Sequence, residues 1–516
     1  MSTLSRMAAT IALPLALGLL GACATRPPHV AAAPSPGPGW RYEIVAREGA
    51  RELSAAALFP PGSPAELGVE SGADAFVKDV EVLDPNTDEW KHVPKKGAHW
   101  VASQCIAGCT VRYRFLLEDA AVALHDIDLA AKDGGVFVST PSLWLLRPCG
   151  APATTPATFH VTTPPDVEFV SGVNPDAGGE PHTYRAIASD LEMAPYSVFG
   201  TLRTHRLYQD GATLEVAIAP GEMAMTDDEI DHWVSLSVSA VTSFYHRFPL
   251  PKVLLVVIPT KGDEVEHGRT LAGGGASIVL HVGKDMTNAG VADDWVLTHE
   301  LTHLAFPTVP RRYAWLEEGL ATYVEPIARA RVGIVPFDEV WRGLVLGLPK
   351  GLPRAGDRGL DVTHTWGRTY WGGALFCLVA DIQIRAATQN QRGLEDALRG
   401  ILDAGGNDAV RWDLERALAV GDRAVGTHVL RDLHARMGTA PVEIDLPALF
   451  RQLGVGMRGR AMVFDETAPL AAVRRAITVK DGPRMGLLAA QIPSCDEHGP
   501  LRANPCVAPG ASLLAH

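Results

Sequence analysis

Hydrophobic and polar residues alternate over short segments between residues 40 and 203, and turns rich in proline and glycine separate these segments. Alternation with a period of two is typical of β-strands that bury one face. We therefore predict a β-rich domain over residues 41–203. The strands expected within it are 76–83, 110–116, 135–138 and 158–161.

The pattern changes after residue 204. Segments 213–219 and 252–259 are short and apolar, as expected of buried strands. Between them, residues 227–248 place apolar side chains at helical spacing behind a Thr-Asp-Asp-Glu start, which is typical of a helix N-terminus. Residues 271–280 are rich in glycine and predict one further strand.

Nearly every segment from 293 to 453 has helical periodicity, including 370–388 and 428–437. The order of elements predicts an α+β fold, in which the β-rich domain precedes a domain over residues 204–455 with a mainly helical C-terminal lobe. Residues 456–516 form a short extension with one or two strands.

Residues 1–22 have the pattern of an export signal. Arg6 precedes an apolar run at 7–20, which is too short to span a bilayer, and residues 20–23 read LGAC. This ending resembles a bacterial lipobox. The resemblance implies cleavage before Cys23, lipidation of its thiol and anchoring to a membrane, the outer membrane in a Gram-negative host because Ala24 follows. The alternative is an ordinary secretory signal, which would leave Cys23 as an unpaired thiol.

Residues 23–40 contain many prolines and glycines and predict a tether between that lipid and the folded domains. The chain has 46 basic and 59 acidic residues, a net charge of −13, and no run of lysine and arginine. Nucleic acid is therefore excluded as an expected partner.

Six cysteines follow Cys23, and export favours disulfide bonds between those that lie close in sequence. Cys377 lies in an apolar run and is predicted to be a buried thiol, whereas the sequence identifies no partner for Cys149. The predicted disulfides are Cys105–Cys109 and Cys495–Cys506.

Residues 298–304 contain an HExxH motif on a helical segment. His299 and His303 are four positions apart, so both imidazoles lie on one helix face and can bind one zinc ion. Glu300, beside the first histidine, is placed to act as general base toward the attacking water. The motif predicts a hydrolytic metal site.

A third ligand lies in the next helical segment, 315–325. There the sequence resembles the gluzincin metallopeptidases, whose third ligand is the glutamate before glycine in W-x-x-E-G-x-A. Glu318 matches this position and Glu317 does not. The resemblance implies a thermolysin-like catalytic domain and one zinc ion per chain, held by both histidines and Glu318. Thr322, one helical turn beyond, is a candidate hydrogen-bond partner for a ligand side chain.

Glu318 follows His303 by 15 positions, an interval closer to the glycyl aminopeptidase-like and peptidase MA-like groups than to the aminopeptidase N family. Residues 368–376 resemble the Y-x-x-G motif of the same enzymes, in which the tyrosine hydroxyl stabilises the tetrahedral intermediate. The resemblance assigns this role to Tyr370. The alternative is a core tyrosine at a helix start.

Relatives in these groups carry a glutamate in a glycine-rich edge strand, where it holds the free amino terminus of the substrate. This chain has Gly273, Gly274 and Gly275 there, followed by Ala276 and Ser277. The three glycines permit close approach of an extended peptide and are expected to bind substrate. Without the charge, selectivity for a free amino terminus is expected to be weak.

These observations together predict a membrane-anchored, zinc-dependent metallopeptidase that hydrolyses peptides or proteins. The alternative is a metalloprotease-like lipoprotein that has lost catalysis and acts as a binding module. The presence of ligands, base and tyrosine in one chain favours the enzyme.

Overall fold

The computed structural model describes residues 39–478. The signal segment, the lipobox with Cys23, most of the tether and the predicted Cys495–Cys506 pair lie outside the described residues. No helix within residues 39–478 is long and apolar enough to cross a membrane.

The N-terminal part is built from three β-sheets, as the alternating pattern predicts. Strand Trp40–Ala46 alternates buried and exposed residues along its whole length, so that one face packs into an aromatic core. The seven-stranded sheet contains, in spatial order, Thr183–Ile187, Pro156–Thr162, Trp40–Ala46, Leu53–Phe59, Cys109–Phe115, Val77–Asp84 and Glu89–His92.

The two smaller sheets have four strands each, and three short α-helices lie between the strands of this part. One sheet contains Glu168–Ser171, Ser197–Gly200, Val136–Ser139 and Ala130–Asp133. The other contains Arg147–Pro148, Glu66–Gly68, His99–Val101 and Lys95–Lys96. The helices are Leu117–Leu124, Pro141–Trp144 and Ala188–Leu191.

The cysteines within residues 39–478 have states that agree with the sequence analysis. A disulfide joins Cys105 to Cys109, which confirms that prediction. Cys377 is a buried free thiol, and Cys149 is a half-buried free thiol. Burial raises the pKa of the Cys377 thiol, so it stays protonated and unreactive.

A five-stranded sheet forms the centre of the second part. Its strands, in spatial order, are Arg203–Gln209, Ala212–Ile218, Lys252–Thr260, Ala276–Gly283 and Val265–Ala272. The three middle strands are parallel, and the two outer ones are antiparallel to their neighbours. Helices cover one face, whereas side chains of the N-terminal sheet, such as Val138 and Val198, pack on the other against Val256 and Val279.

The prediction of one strand over residues 271–280 was wrong. Strand Val265–Ala272 ends before the glycines, which form the turn of a hairpin, and Ala276–Gly283 is the returning strand. Gly274 has φ 65° and Gly275 has φ 149°, values that strongly favour glycine. Strand Val265–Ala272, hereafter the edge strand, is therefore the outermost strand of this sheet.

Helices dominate the chain after residue 293, as their periodicity predicts. Helix Asp227–Tyr245, which precedes this region, starts at the predicted Thr-Asp-Asp-Glu segment, where the Glu229 N–H donates to Thr226 Oγ1 at 3.3 Å. A hairpin of strands Val455–Arg458 and Ala461–Phe464 follows helix Leu446–Leu453. It precedes helix Ala471–Thr478, which the sequence pattern did not indicate. The α-helices are Asp227–Tyr245, Val296–His303, Ala314–Arg331, Phe337–Gly347, Gly373–Ala387, Leu394–Asp403, Leu414–Val425, Val429–Met437, Leu446–Leu453 and Ala471–Thr478.

Ion pairs connect the N-terminal part to the edge strand. Arg269 donates two hydrogen bonds to the Asp128 carboxylate, at 2.9 and 2.8 Å, and the Tyr196 hydroxyl donates to the same carboxylate at 3.0 Å. On the neighbouring strand, His281 contacts Asp133 at 2.6 Å. The N-terminal part therefore supports the sheet on the face opposite the helices.

Candidate metal and catalytic site

Two helices bring the three predicted ligands together. Helix Val296–His303 carries both histidines, and helix Ala314–Arg331 carries Glu318. The Glu318 Oε2 atom lies 3.4 Å from His299 Nε2 and 3.6 Å from His303 Nε2. One ligand atom from each residue lies within 4.8 Å of the other two. Two imidazole nitrogens and one carboxylate oxygen are the donor set of a catalytic zinc site with one open position.

The start of the first helix is held by a buried carboxylate. Asp294 accepts hydrogen bonds from the backbone N–H groups of Val296 at 2.9 Å and Leu297 at 3.3 Å. The Trp233 indole donates to it at 2.9 Å. Burial raises the pKa of Asp294. These contacts satisfy free N–H groups of the helix and set the direction in which its histidines face.

The glycine after Glu318 is required by packing. A Cβ atom at Gly319 would lie 2.3 Å from Gly373 Cα, because the second helix crosses helix Gly373–Ala387 at this point. Close backbone approach at a glycine brings Glu318 and the segment that carries Tyr370 to the same cleft.

The ligands form a compact charged group. Burial acts to lower the pKa of His303, but the Glu318 carboxylate outweighs it and raises the pKa to about 9. Burial acts to raise the pKa of Glu318, and His303 and His299 together hold it well below its usual value. The carboxylate is therefore ionised and lies between two imidazoles, as a cation site requires.

Glu300 is buried at 8% exposure, and the edge strand holds its side chain. The Thr270 hydroxyl is 2.6 Å from Glu300 Oε2 and 3.1 Å from the Glu300 carbonyl oxygen. A Cβ atom at Gly268 would lie 2.6 Å from Glu300 Cγ, so glycine leaves room for the carboxylate. Thr270 has no local signature in the sequence, and the predicted strand at residues 271–280 did not include it.

Tyr370 lies in a single π-helical turn, Arg368–Gly372, that leads into helix Gly373–Ala387. Its ring stacks on His299 at 6.4 Å between centroids and on Trp366 at 5.8 Å. Burial, followed by the carboxylates of Glu318 and Glu300, raises the pKa of Tyr370 to about 12. The hydroxyl therefore stays protonated at neutral pH and can donate a hydrogen bond.

The ligands line a cavity of about 340 Å³, which is also lined by acids that the sequence motifs did not assign, among them the buried Glu317 and Asp408. Glu317 accepts a hydrogen bond from the Val309 N–H at 2.9 Å, and burial raises its pKa to about 7. Asp408 accepts one from the Thr308 hydroxyl at 2.9 Å, and burial raises its pKa to about 6. Glu317 thus does not belong to the ligand group, which agrees with the choice of Glu318.

The structure does not place Gly273, Gly274 and Gly275, which were predicted to bind substrate, in the wall of the catalytic cavity. The Asn174 N–H donates to the Gly274 carbonyl at 2.9 Å, and a Cβ atom at Gly273 would lie 2.6 Å from the Met193 carbonyl oxygen. Backbone of the N-terminal part thus covers the turn.

The edge strand lines the cavity instead. It contributes residues 266–272 to the wall, and its outer edge pairs with no other strand among the described residues. Ala276 is fully buried in the next strand, so it is not the position that would meet a substrate amine.

Thr322 lies beside His299 in the wall of a second cavity. Within residues 39–478, no hydrogen bond joins its hydroxyl to a ligand side chain. The structure therefore brings Thr322 near the site but does not make it a ligand-orienting partner.

No protein-family model matches the sequence, and no curated protein matches it at a significant level. Solved structures do match. An aminopeptidase N family protein from Idiomarina loihiensis matches with a TM-score of 0.62 at 14% identity, over 81% of this chain and 78% of that chain.

Two further matches have a TM-score of 0.50. A mutant of the M1 zinc metallopeptidase from Deinococcus radiodurans is 15% identical over 79% of this chain and 95% of that chain. Legionella pneumophila aminopeptidase A in complex with aspartic acid is 13% identical over 78% of this chain, which spans 49% of that longer chain. The protein therefore has a fold similar to that of the aminopeptidase N-like M1 zinc metallopeptidases.

Proposed function

We propose that this protein is a zinc-dependent peptidase. The observation that carries the proposal is the convergence of His299, His303 and Glu318, with one ligand atom from each within 4.8 Å, in a cleft that also holds Glu300. A general base beside a three-ligand site is the arrangement of hydrolytic zinc enzymes. The fold shared with M1 zinc metallopeptidases supports the same assignment.

The two histidines and Glu318 would hold one zinc ion per chain. Zinc held there would supply Lewis acidity toward the scissile carbonyl and toward water. Glu300 accepts the proton of the attacking water and later donates it to the leaving amine. The Tyr370 hydroxyl donates a hydrogen bond to the oxygen on which negative charge develops.

The open edge strand indicates how substrate binds. An extended peptide can pair with the free backbone groups of strand Val265–Ala272 and so lie across the cleft. One structure of the Deinococcus enzyme is bound to a Tyr-Ser-Ala substrate. We infer that the substrate here is likewise a peptide, or an unfolded segment of a protein.

Cleavage of a mixed peptide library by the purified full chain tests this function. We expect cleavage that stops with a zinc chelator and returns with added zinc, and close to one zinc per chain by elemental analysis. Zinc at one equivalent without cleavage of any peptide would instead favour a binding module.

We also propose that the chain is exported and anchored by lipid at Cys23, on the basis of its lipobox-like LGAC segment. Cells fed an alkyne-tagged fatty acid should label the wild-type protein. Cys23→Ala should lose the label and move the protein from the membrane fraction to the soluble one. Labelling that persists in the variant would contradict the proposal.

A further inference from the structure

A second cavity, of about 260 Å³, adjoins the catalytic cavity. Trp295, His299 and Tyr370 line both cavities and separate them. A group bound in the second cavity would therefore lie directly beside the metal ligands and the proposed oxyanion donor.

The walls of the second cavity are mainly apolar and aromatic. Val340 and Leu344 of helix Phe337–Gly347 form one side, and Trp366 and Trp371 form another. The Lys350 ammonium lies 5.7 Å from the Trp366 ring and 5.6 Å from the Trp371 ring. Cation–π contacts of this kind hold both indoles in place at the opening.

Two of the tryptophans at this cavity expose much of their surface. Trp295 is 52% exposed and Trp366 is 61% exposed, whereas Trp233, Trp315 and Trp341 are almost fully buried. Exposed indoles beside a catalytic cleft provide apolar surface of the kind that marks ligand binding.

We infer that the second cavity binds a large apolar side chain, aromatic or branched aliphatic, of the substrate residue that flanks the scissile bond. This inference rests on the proposed peptidase function and names its substrate class. The volume is sufficient, since an apolar cavity of roughly 150 Å³ accepts a benzene ring.

The charges of the cavity disfavour basic side chains. Lys350 at the opening repels lysine and arginine side chains. Glu325, the acid in its wall, is paired with Arg329 at 2.8 Å and offers no free charge to a basic group. An acidic side chain could pair with Lys350, but it would lose much of its hydration against the indole and aliphatic walls.

Gly343 is a position in the cavity wall where a larger side chain can be introduced. It lines the cavity from helix Phe337–Gly347, and a Cβ atom there would meet no heavy atom within 4 Å. Gly343→Phe therefore adds a large side chain at the cavity wall with no clash at its Cβ, and it removes a glycine from a helix interior, which favours folding. Leu346→Phe is the matched control, because Leu346 is 58% exposed on the same helix and lies outside the cavity lining.

The test uses peptide pairs that differ only in one residue next to the cleaved bond, Phe against Ala, placed on either side of that bond. We expect the wild-type enzyme to prefer Phe on one side by about tenfold or more in kcat/KM. Gly343→Phe should bring this ratio near one while leaving the Ala peptide cleaved, and Leu346→Phe should keep the ratio. An unchanged ratio in Gly343→Phe, or no preference in the wild type, would overturn the inference.

A binding measurement separates this inference from the proposed function. N-acetylphenylalanine amide should quench the tryptophan fluorescence of the wild type, and N-acetylalanine amide should not. Gly343→Phe should weaken the first binding at least about tenfold. If no peptide is cleaved but this difference is seen, the peptidase proposal fails and the cavity assignment stands; equal binding by wild type and Gly343→Phe would overturn the cavity assignment.

Discussion

The Thr270 hydroxyl lies 2.6 Å from Glu300 Oε2 and joins the edge strand to the candidate general base. The same hydroxyl is 3.1 Å from the Glu300 backbone carbonyl, so strand and helix are connected at two points. A carboxylate held in this way keeps one oxygen fixed and leaves the other free to face water. Thr270 is thus a positioning residue for proton transfer.

Thr270→Val removes the hydrogen bond and keeps the shape of the side chain. We expect kcat to fall by about tenfold to a hundredfold, as for other residues that orient a catalytic group, with little change in KM and none in zinc content. Thr270→Ser keeps the hydroxyl and should restore most of the activity. A kcat for Thr270→Val within twofold of wild type would contradict the positioning role.

His303→Ala leaves two protein ligands, which cannot hold zinc firmly against water and buffer. Elemental analysis should show zinc falling from close to one equivalent per chain to a small fraction. His92→Ala serves as the control, since His92 is an exposed histidine at the end of a strand in the N-terminal part. Undiminished zinc in His303→Ala would contradict the ligand assignment.

Glu300→Gln removes the base but no ligand. The protein should retain its zinc, and kcat should fall by roughly a thousandfold because a general base typically contributes 10² to 10⁴. Glu317→Gln is the matched control, because it lies in the same cavity and still presents an acceptor to the Val309 N–H. The turnover of Glu317→Gln should stay within a few-fold of wild type. A larger loss of turnover in Glu317→Gln than in Glu300→Gln would instead identify Glu317 as the general base.

Tyr370→Phe keeps the ring that stacks on His299 and Trp366 and removes only the hydroxyl. Loss of one oxyanion donor should lower kcat by about a hundredfold or more without changing KM or zinc content. The pKa of about 12 keeps this hydroxyl protonated, so the wild-type pH profile should show no loss of activity from Tyr370 up to about pH 10. Full activity in Tyr370→Phe would show that the Tyr370 hydroxyl has no role in catalysis.

Acetylating the amino terminus of a peptide tests how strongly the cleft selects free ends. Glu266 is the carboxylate that the edge strand contributes to the catalytic cavity, and it is exposed to solvent, where its attraction to an ammonium group is weak. We expect acetylation to reduce kcat/KM by less than about tenfold, and Glu266→Gln to remove that difference. A hundredfold loss on acetylation would show strict aminopeptidase selectivity.

Local patterns in the sequence predicted much of this molecule. His299, Glu300 and His303 share a helix, so their relative positions follow from helical geometry, and Glu318 was identified by the glycine after it. The β-rich N-terminal part and the helices after residue 293 followed from periodicity for the same reason, since each depends on neighbours close in the chain.

The relationships that shape the cleft were decided by the tertiary structure. Hydrophobic patterns do not encode the backbone angles at Gly273, Gly274 and Gly275, and these angles decide whether the glycines continue a strand or form a turn. Because they form a turn, the edge strand is Val265–Ala272. Thr270 meets Glu300 from 30 positions away, and the tryptophans of the second cavity come from separate segments. Such contacts arise only when distant segments pack together, because neither partner has a local signature. The sequence by itself therefore determined the chemical groups and the helix that carries them, whereas packing of the sheet against the helices determined what orients the base and what the cleft can hold.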